Sequence, residues 1–288
     1  MLLGVAFVLC AGAAVYLNRV SLQNLLDFYL DKPKTALIGA PLLLYNPPLL
    51  DILPIYIVFM LLTPLLLRAA RRWGWPRVLA ASACVWLLAQ CNLRAWIYGL
   101  LAHAGFPIPL REMGAFDVFA WQLLWTGGLA LGDARLPARW PKWVMVTCGT
   151  VAVALFICRH TPIDRLTGPV LFDLIVDKWK LGVVRIVNAI ALGILLVRFG
   201  PSIAPSRFAE TMAILGTASL EVFAAHLIFC FFFLGVGNGP DAHLPLWEDL
   251  LVVAITLAGL FAAAIAARQS KASASSLRPR AIASDVPS

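Results

Sequence analysis

The stretch LDILPIYIVFMLLTPLLLR, residues 50–68, decides the fold class of this chain. Its only charged residues are Asp51, near the start, and Arg68, at the end, and the residues between them are almost all apolar. A helix needs about 20 apolar residues to cross the hydrocarbon core of a bilayer, and this run has that length. Backbone groups in lipid must pair within the chain, and the run lacks the alternation of a barrel strand, so it predicts a transmembrane helix.

Seven further apolar runs of similar length flank this stretch. They cover residues 3–18, 78–97, 116–132, 142–158, 183–199, 217–237 and 247–267. Across the chain 61% of residues are hydrophobic and 13% are charged, whereas soluble domains have roughly 45–50% apolar and about 25% charged residues. The sequence therefore predicts an all-α, polytopic integral membrane helical bundle of eight transmembrane helices in residues 1–267, followed by a disordered cytoplasmic tail over 268–288.

The distribution of Lys and Arg between the loops predicts the side of the membrane on which each end lies. If the odd-numbered spans run outward, the inner segments carry more than half of the 23 basic residues, and most acidic residues lie outside. The inner basic residues are Arg68, Arg71, Arg72, Arg77, Arg135, Arg139, Lys142, Arg198, Arg207, Arg268, Lys271, Arg278 and Arg280. This bias places both termini in the cytoplasm by the positive-inside rule. It also accounts for the net charge of +8, so we predict no nucleic-acid partner.

The cysteines and glycines indicate no metal site and no tightly bound cofactor. Six cysteines, Cys10, Cys84, Cys91, Cys148, Cys158 and Cys230, lie within or at the ends of apolar runs, and none has CxxC or zinc-like spacing. We interpret them as small buried hydrophobic residues. The chain also has no glycine-rich phosphate loop to mark a nucleotide site.

Polar residues at the mouths of the apolar runs are the candidate site residues, because an ionisable group at bilayer depth costs roughly 2.5–3.5 kcal/mol unless it is paired. Before the second run, Pro47 and Pro48 end any preceding helix, and Asp51 falls where an N-cap residue belongs. Asp51 therefore either caps this helix or, together with Tyr56, faces a polar cavity beneath the outer surface. The residue pattern leaves both alternatives open.

The fourth run begins with three polar or amphipathic residues. Asp117 suits a helix start, and Trp121 suits the aromatic belt at the membrane interface. Gln122 lies one turn inside the run, where its amide needs a partner. That partner is either a neighbouring helix or a bound polar ligand.

Arg185 and His226 lie inside later runs. Arg185 must extend to the outer surface, pair with a carboxylate such as Asp51 or Asp117, or hold an anion. His226 lies two helical turns from Ser219, so the spacing does not support a serine–histidine nucleophile pair. His226 is therefore either an interior histidine with its hydrogen bonds satisfied or a site residue.

Four short segments, in order along the chain, resemble the OpgC-type membrane proteins. They are YNPPLLDILPIYIV at 45–58, FAWQLL at 119–124, KWKLGVVR at 178–185 and LGTASLEVF at 215–223. The resemblance implies a membrane acyltransferase of the wider acyltransferase-3 class in the bacterial inner membrane. The family activity is succinylation of osmoregulated periplasmic glucans, so the implied donor is a cytoplasmic acyl-CoA and the implied acceptor is a hydroxyl of a periplasmic glucan or related glycan.

The resemblance also assigns the site residues. The matching motif positions are Asp51, Tyr56, Trp121, Gln122, Lys180 and Arg185. Acyl transfer to a hydroxyl needs a base and donors for the developing oxyanion. Lys180 and Arg185 are expected to hold an acyl carboxylate or the oxyanion, Gln122 to donate a hydrogen bond, and Trp121 and Tyr56 to stack on sugar rings.

The chain departs from the family pattern at its start. Members begin with earlier spans whose Arg-Gly and histidine motifs are thought to include the catalytic base, and no such region precedes Met1. Either the true start lies upstream, or this is a shortened member with impaired catalysis, or His226 serves as the base beside Asp51 and Arg185. The alternative from another class is a non-catalytic transporter or export partner for a glycan or lipid-linked sugar.

Overall fold

The computed structural model is all-helical over the residues it describes, which are 20–133, 141–160, 176–236 and 245–276. The helices are α1 (Val20–Asp31), α2 (Pro33–Gly39), α3 (Ile52–Trp73), α4 (Trp75–Gln90), α5 (Leu93–His103), α6 (Val118–Asp133), α7 (Lys142–His160), α8 (Val183–Ile203), α9 (Arg207–Thr217), α10 (Ser219–Val236) and α11 (Leu246–Ser276). A short 3₁₀ helix covers Leu110–Met113. No strand occurs within these ranges, which confirms the predicted all-α class.

The described residues contain three to five candidate membrane spans, so they do not clearly show the predicted eight. Three helices are long and apolar enough to cross a membrane: α3, α8 and the Leu246–Ser270 part of α11. Two bent pairs raise this number to five if each pair is one span. They are α4 with α5, bent by 66°, and α9 with the Ser219–Leu234 part of α10, bent by 81°. The predicted first span, 3–18, lies outside the described residues.

The third predicted span, 78–97, is broken because the chain turns at Asn92. This residue has a φ of 63°, in the left-handed region, and it separates α4 from α5. Asparagine tolerates that conformation better than most residues. The last helix departs from prediction in the other direction, since α11 continues past 267 to Ser276. Residues 277–288 of the predicted tail lie outside the described residues.

The chain divides into two compact units, and the larger one covers Asp27–Ser202. Its most extensive helix contact joins α4 and α6, and α3 packs against both. A small core cluster of Ala89, Ala120 and Leu181 lies at one end of this contact, with Trp86 and Trp121 packed against it. Because alanines occupy the helix positions of this cluster, α4 and α6 approach closely there.

The smaller unit comprises Met1–Leu26 and Ile203–Ser288. In its described part, α11 packs against α10 and α9. Gly259 of α11 faces the ring of Phe229 on α10, and a Cβ atom at this glycine would collide with that ring. The glycine therefore allows the aromatic ring to lie directly on the backbone of α11.

Apolar side chains remain uncovered along the candidate spans. Only 6% of the apolar window of α3, and the same share for α8 and α11, is buried within the protein. Leu61 and Leu196 are each 70% exposed. Apolar surface on this scale exceeds what a water-soluble monomer exposes and fits helices that face lipid, so the chain is a helical membrane protein.

Candidate functional site

Arg94, near the start of α5, holds the segment that leads from the 3₁₀ helix to α6. Its guanidinium donates to the carbonyl oxygens of Gly114 at 2.6 Å, Phe116 at 3.2 Å and Leu110 at 3.4 Å. Backbone carbonyls in a loop otherwise lack partners, so this fork of donors fixes the path of the segment. The bend at Asn92 places Arg94 at this position, because it starts a new helix directly before it.

The entry to α3 holds the same segment from its other side. Asn46 donates from its side-chain nitrogen to the carbonyl of Met113 at 3.2 Å, and Asp51 accepts from the backbone N–H of Ala115 at 3.0 Å. Gly114 lies between them with a φ of 86°, and a Cβ atom there would come within 3.0 Å of the Asp51 Cβ. Asp51 occupies the N-cap position of α3 but makes no capping hydrogen bond, so of its two alternatives the cap is met in position and not in bonding.

Residues 177–182, the loop before α8, are tied down by three side chains. Trp86 donates to the carbonyl of Leu181 at 3.0 Å, Gln90 to that of Lys180 at 2.8 Å, and Trp121 to that of Trp179 at 3.1 Å. We call these residues the 177–182 loop. Its backbone is therefore held from α4 and α6 together.

A cavity of about 560 Å³ opens between the 177–182 loop, the start of α5 and the segment before α6. It is lined by Asn92, Arg94, Ala95, Leu110, Arg111, Gly114, Ala115, Asp117, Asp177, Trp179 and Lys180. The lining combines cations, carboxylates, one amide and one indole ring. Planar polar groups beside an aromatic ring can bind a sugar, and paired cations can hold an anion.

The charges around this cavity balance one another. The guanidinium of Arg94 is close enough to Asp117 and Asp51 for electrostatic attraction to both carboxylates. Asp117 is 3% exposed, and its Oδ1 accepts from the N–H of Phe119 at 2.9 Å, which confirms its predicted place at the start of α6. Lys180 donates from Nζ to Asn92 Oδ1 at 2.5 Å and also attracts Asp117.

Of the motif positions that the family resemblance assigns, all of which the structure describes, Lys180 is the one that lines this cavity. Asp51 does not line the cavity but is buried, and its Oδ2 accepts a hydrogen bond from the N–H of Ala115, which does. Trp121 supports the 177–182 loop through its indole N–H and packs edge-on against Phe116, with ring centroids 5.1 Å apart. These two residues hold the walls of the cavity in place.

Gln122 and Tyr56 lie away from this cavity. Gln122 of α6 accepts from Ser82 Oγ at 2.6 Å and donates to the Ser82 carbonyl at 2.8 Å, so a neighbouring helix supplies its partner. Tyr56 is 51% exposed, and its ring meets that of Trp125 edge-on at 5.2 Å.

Arg185 is not among the residues that line this cavity, and His226 belongs to the other compact unit. Arg185 forms no ion pair with Asp51 or Asp117, and its Nε donates to the carbonyl of Val176 at 2.8 Å. Within the described residues, Arg185 therefore has a backbone partner rather than either of these two carboxylates. His226 belongs to the smaller unit, where its ring contacts Cys230 Sγ at 3.5 Å, one turn along α10.

Arg94 is the main residue that the sequence reasoning missed. It lies inside the predicted span 78–97, and an ionisable residue inside a span is the same signal that selected Arg185. Asn92 and Gln90 lay in the same run and carried the same signal in weaker form. In the structure Arg94 has the carboxylate neighbours that were one of the three alternatives for Arg185.

Comparison with known proteins places the chain in a family. A family model described as "OpgC protein" matches residues 1–272. No curated protein and no solved structure matches the chain significantly. The matched region covers the larger unit, most of the smaller unit and every candidate site residue named above, so this chain belongs to the OpgC protein family.

Proposed function

We propose that this protein transfers an acyl group, succinyl or a similar one, to a hydroxyl of a periplasmic glucan or related glycan. The proposal is supported by the family and by one observation, the cavity that brings Arg94, Asp117, Trp179 and Lys180 together. The acceptor sugar would bind against Trp179, with its hydroxyls toward the carboxylates and the amide. The protein would act from the bacterial inner membrane and use a cytoplasmic acyl-CoA as donor.

The reaction would form an ester and release a thiol. The sugar hydroxyl attacks the thioester carbonyl, a base takes the hydroxyl proton, and the coenzyme leaves as a thiolate that regains a proton. Asp117 and Asp177 are the carboxylates lining the cavity and are candidates for the base. Lys180 and Arg94 would donate to the oxyanion, which is the step at which preorganised donors contribute most. His226 stays a predicted base, and its substitution would test that role.

The test is mass spectrometry of periplasmic glucans from cells that lack the gene and carry a substituted copy. Lys180→Met should lower the acylated fraction at least about tenfold, because oxyanion donors typically contribute 10²–10³ in rate. Asp117→Asn keeps an acceptor for the Phe119 N–H and should lower acylation more strongly if Asp117 is the base. Lys142→Met, an exposed lysine at the start of α7, is the matched control. Full acylation by both site variants, at wild-type membrane abundance, would rule out this cavity as the reaction site.

Binding without transfer is the second candidate, and one observation favours it. No histidine lines the cavity in the part of the chain that the structure describes. A transporter or export partner would use the same polar lining to bind a glycan or lipid-linked sugar. Wild-type protein that binds the glucan but never adds an acyl group to it would favour this candidate over the transferase.

A further inference from the structure

A second cavity, of about 530 Å³, lies between α3, α4 and α6 and has no part in the proposed reaction. We call it the α3–α4–α6 groove. It is lined by Leu66, Ala69, Trp73, Arg77, Val78, Ala81, Ser82, Val85 and Gln122. Most of these side chains are apolar, and Arg77 is the single charged residue in the lining. The groove therefore has apolar walls and a cation at one end.

The deep end of the groove, beside Ser82 and Gln122, has no free hydrogen-bond donor among the lining side chains that the structure describes. Ser82 Oγ donates to Gln122 Oε1, and both N–H groups of Gln122 are used by the carbonyls of Ser82 and Phe119, at 2.8 and 3.1 Å. A carbonyl or phosphate group of a ligand would find no donor there and would lose its own hydration. The part of a ligand that reaches this end is therefore apolar.

The other end of the groove is strongly positive. It lies where the α3 span ends and α4 begins, and four exposed arginines cluster there, namely Arg68, Arg71, Arg72 and Arg77. None of the four forms an ion pair within the described ranges. Asp133, a carboxylate on α6, accepts instead from the indole N–H of Trp75 at 2.7 Å. A negatively charged group at this end would meet unpaired cations.

The depth of the groove matches one leaflet of a bilayer. On α4 it extends from Arg77 to Val85, which is about 12 Å at roughly 1.5 Å per residue. Half of the hydrocarbon core is about 15 Å thick. Trp73 at the mouth is 53% exposed, as expected of a residue in the interfacial aromatic belt.

We propose that the α3–α4–α6 groove binds an anionic phospholipid. One acyl chain lies along the apolar walls toward Gln122, and the phosphate group contacts Arg77 at the membrane surface. The neighbouring arginines raise the local potential, and Arg77 alone reaches into the groove. Basic pockets between transmembrane helices bind anionic lipid head groups by this combination of charge and apolar contact.

The experiment measures which lipids stay bound to the purified full-length chain. The protein in mild detergent is mixed with equal amounts of phosphatidylglycerol and phosphatidylcholine of the same chain length, and retained lipid is counted by native mass spectrometry. The wild-type protein should retain phosphatidylglycerol preferentially. Arg77→Gln should reduce that retention about fivefold, as expected for one basic residue near the surface. Arg68→Gln is the matched control, because Arg68 belongs to the same basic cluster but lies outside the groove, and it should change retention less.

A second variant tests the groove itself. Ala81→Leu narrows the apolar walls at an exposed position and should reduce retention of both lipids, with circular dichroism and gel filtration unchanged. Equal retention of the two lipids by the wild type, an equal effect of Arg68→Gln and Arg77→Gln, or no effect of Ala81→Leu would each overturn the proposal. Displacement of phosphatidylglycerol by succinyl-CoA would also overturn it and assign the groove to the acyl donor. The readout is lipid retention, so it stands apart from the test of acyl transfer.

Discussion

Replacing Arg94 by methionine should destabilise the larger unit by several kilocalories per mole. The guanidinium makes two well-formed hydrogen bonds to loop carbonyls, at 2.6 and 3.2 Å, and a longer one at 3.4 Å. A hydrogen bond to a charged group contributes about 1.5–3 kcal/mol, so the two shorter bonds give about 3–6 kcal/mol. Asp117 and Asp51 would also lose the cation that balances them.

The assay is reversible unfolding of the purified protein in detergent micelles, followed by tryptophan fluorescence, since the chain has ten tryptophans. Arg111→Met is the control, because the Arg111 side chain is 76% exposed and pairs only with Glu112 at the surface. Loss of such a pair should cost at most about 1 kcal/mol. Arg94→Lys keeps the charge but not the planar fork and should fall between the two. If the Arg94→Met variant is no less stable than Arg111→Met, the hydrogen bonds from Arg94 to the loop carbonyls do not stabilise the larger unit.

Three further predictions concern single positions in the larger unit. Gly114→Ala should destabilise the protein more than Gly105→Ala, although the two glycines have similar φ values of 86° and 85°. A Cβ atom at Gly114 would meet buried side chains, whereas one at Gly105 would meet open space. The unfolding temperatures of the two variants measure this difference. Gln122→Leu should lower the free energy of unfolding by about 0.6–1.7 kcal/mol, because it removes a hydrogen bond between α4 and α6. If the loss comes from leaving Ser82 without its partner, the double variant with Ser82→Ala should recover stability. Asn92→Gly keeps the left-handed turn but frees Lys180, so acylation measured by mass spectrometry should fall while the unfolding temperature stays near that of the wild type.

The sequence predicted the position of a helix correctly where an apolar run coincides with one unbroken helix. The apolar runs at 50–68, 183–199 and 247–267 became α3, α8 and most of α11. Asp117 lies at the start of α6, and its side chain accepts from the backbone N–H of Phe119, as its residue type predicts. These features depend on local chemistry, which a sequence states directly.

The break at Asn92 did not follow from the sequence, because apolar composition continues through it. A hydropathy run reports which solvent a segment prefers but not the φ angle of one residue within it. The partner of Asp117 was missed for a related reason. Two arginines, Arg94 and Arg185, met the criterion of charge inside a span, and only the bend between α4 and α5 decides which of them lies beside the carboxylates.

The motif residues of the family divide into two groups by what they touch. Asp51 and Trp121 bond to loop backbone, to the Ala115 N–H and the Trp179 carbonyl, and so position the walls of the cavity. Lys180 lines the cavity, and its Nζ donates to Asn92 Oδ1 in the same lining. Asp51→Ala and Trp121→Phe should therefore lower the unfolding temperature and acylation together, whereas Lys180→Met should lower acylation with little change in unfolding temperature. The two measurements on the same three variants separate the groups. A Lys180→Met protein as unstable as Asp51→Ala would mean that Lys180 too serves to hold the loop, which would leave the two cavity carboxylates, Asp117 and Asp177, as the groups that act on a substrate.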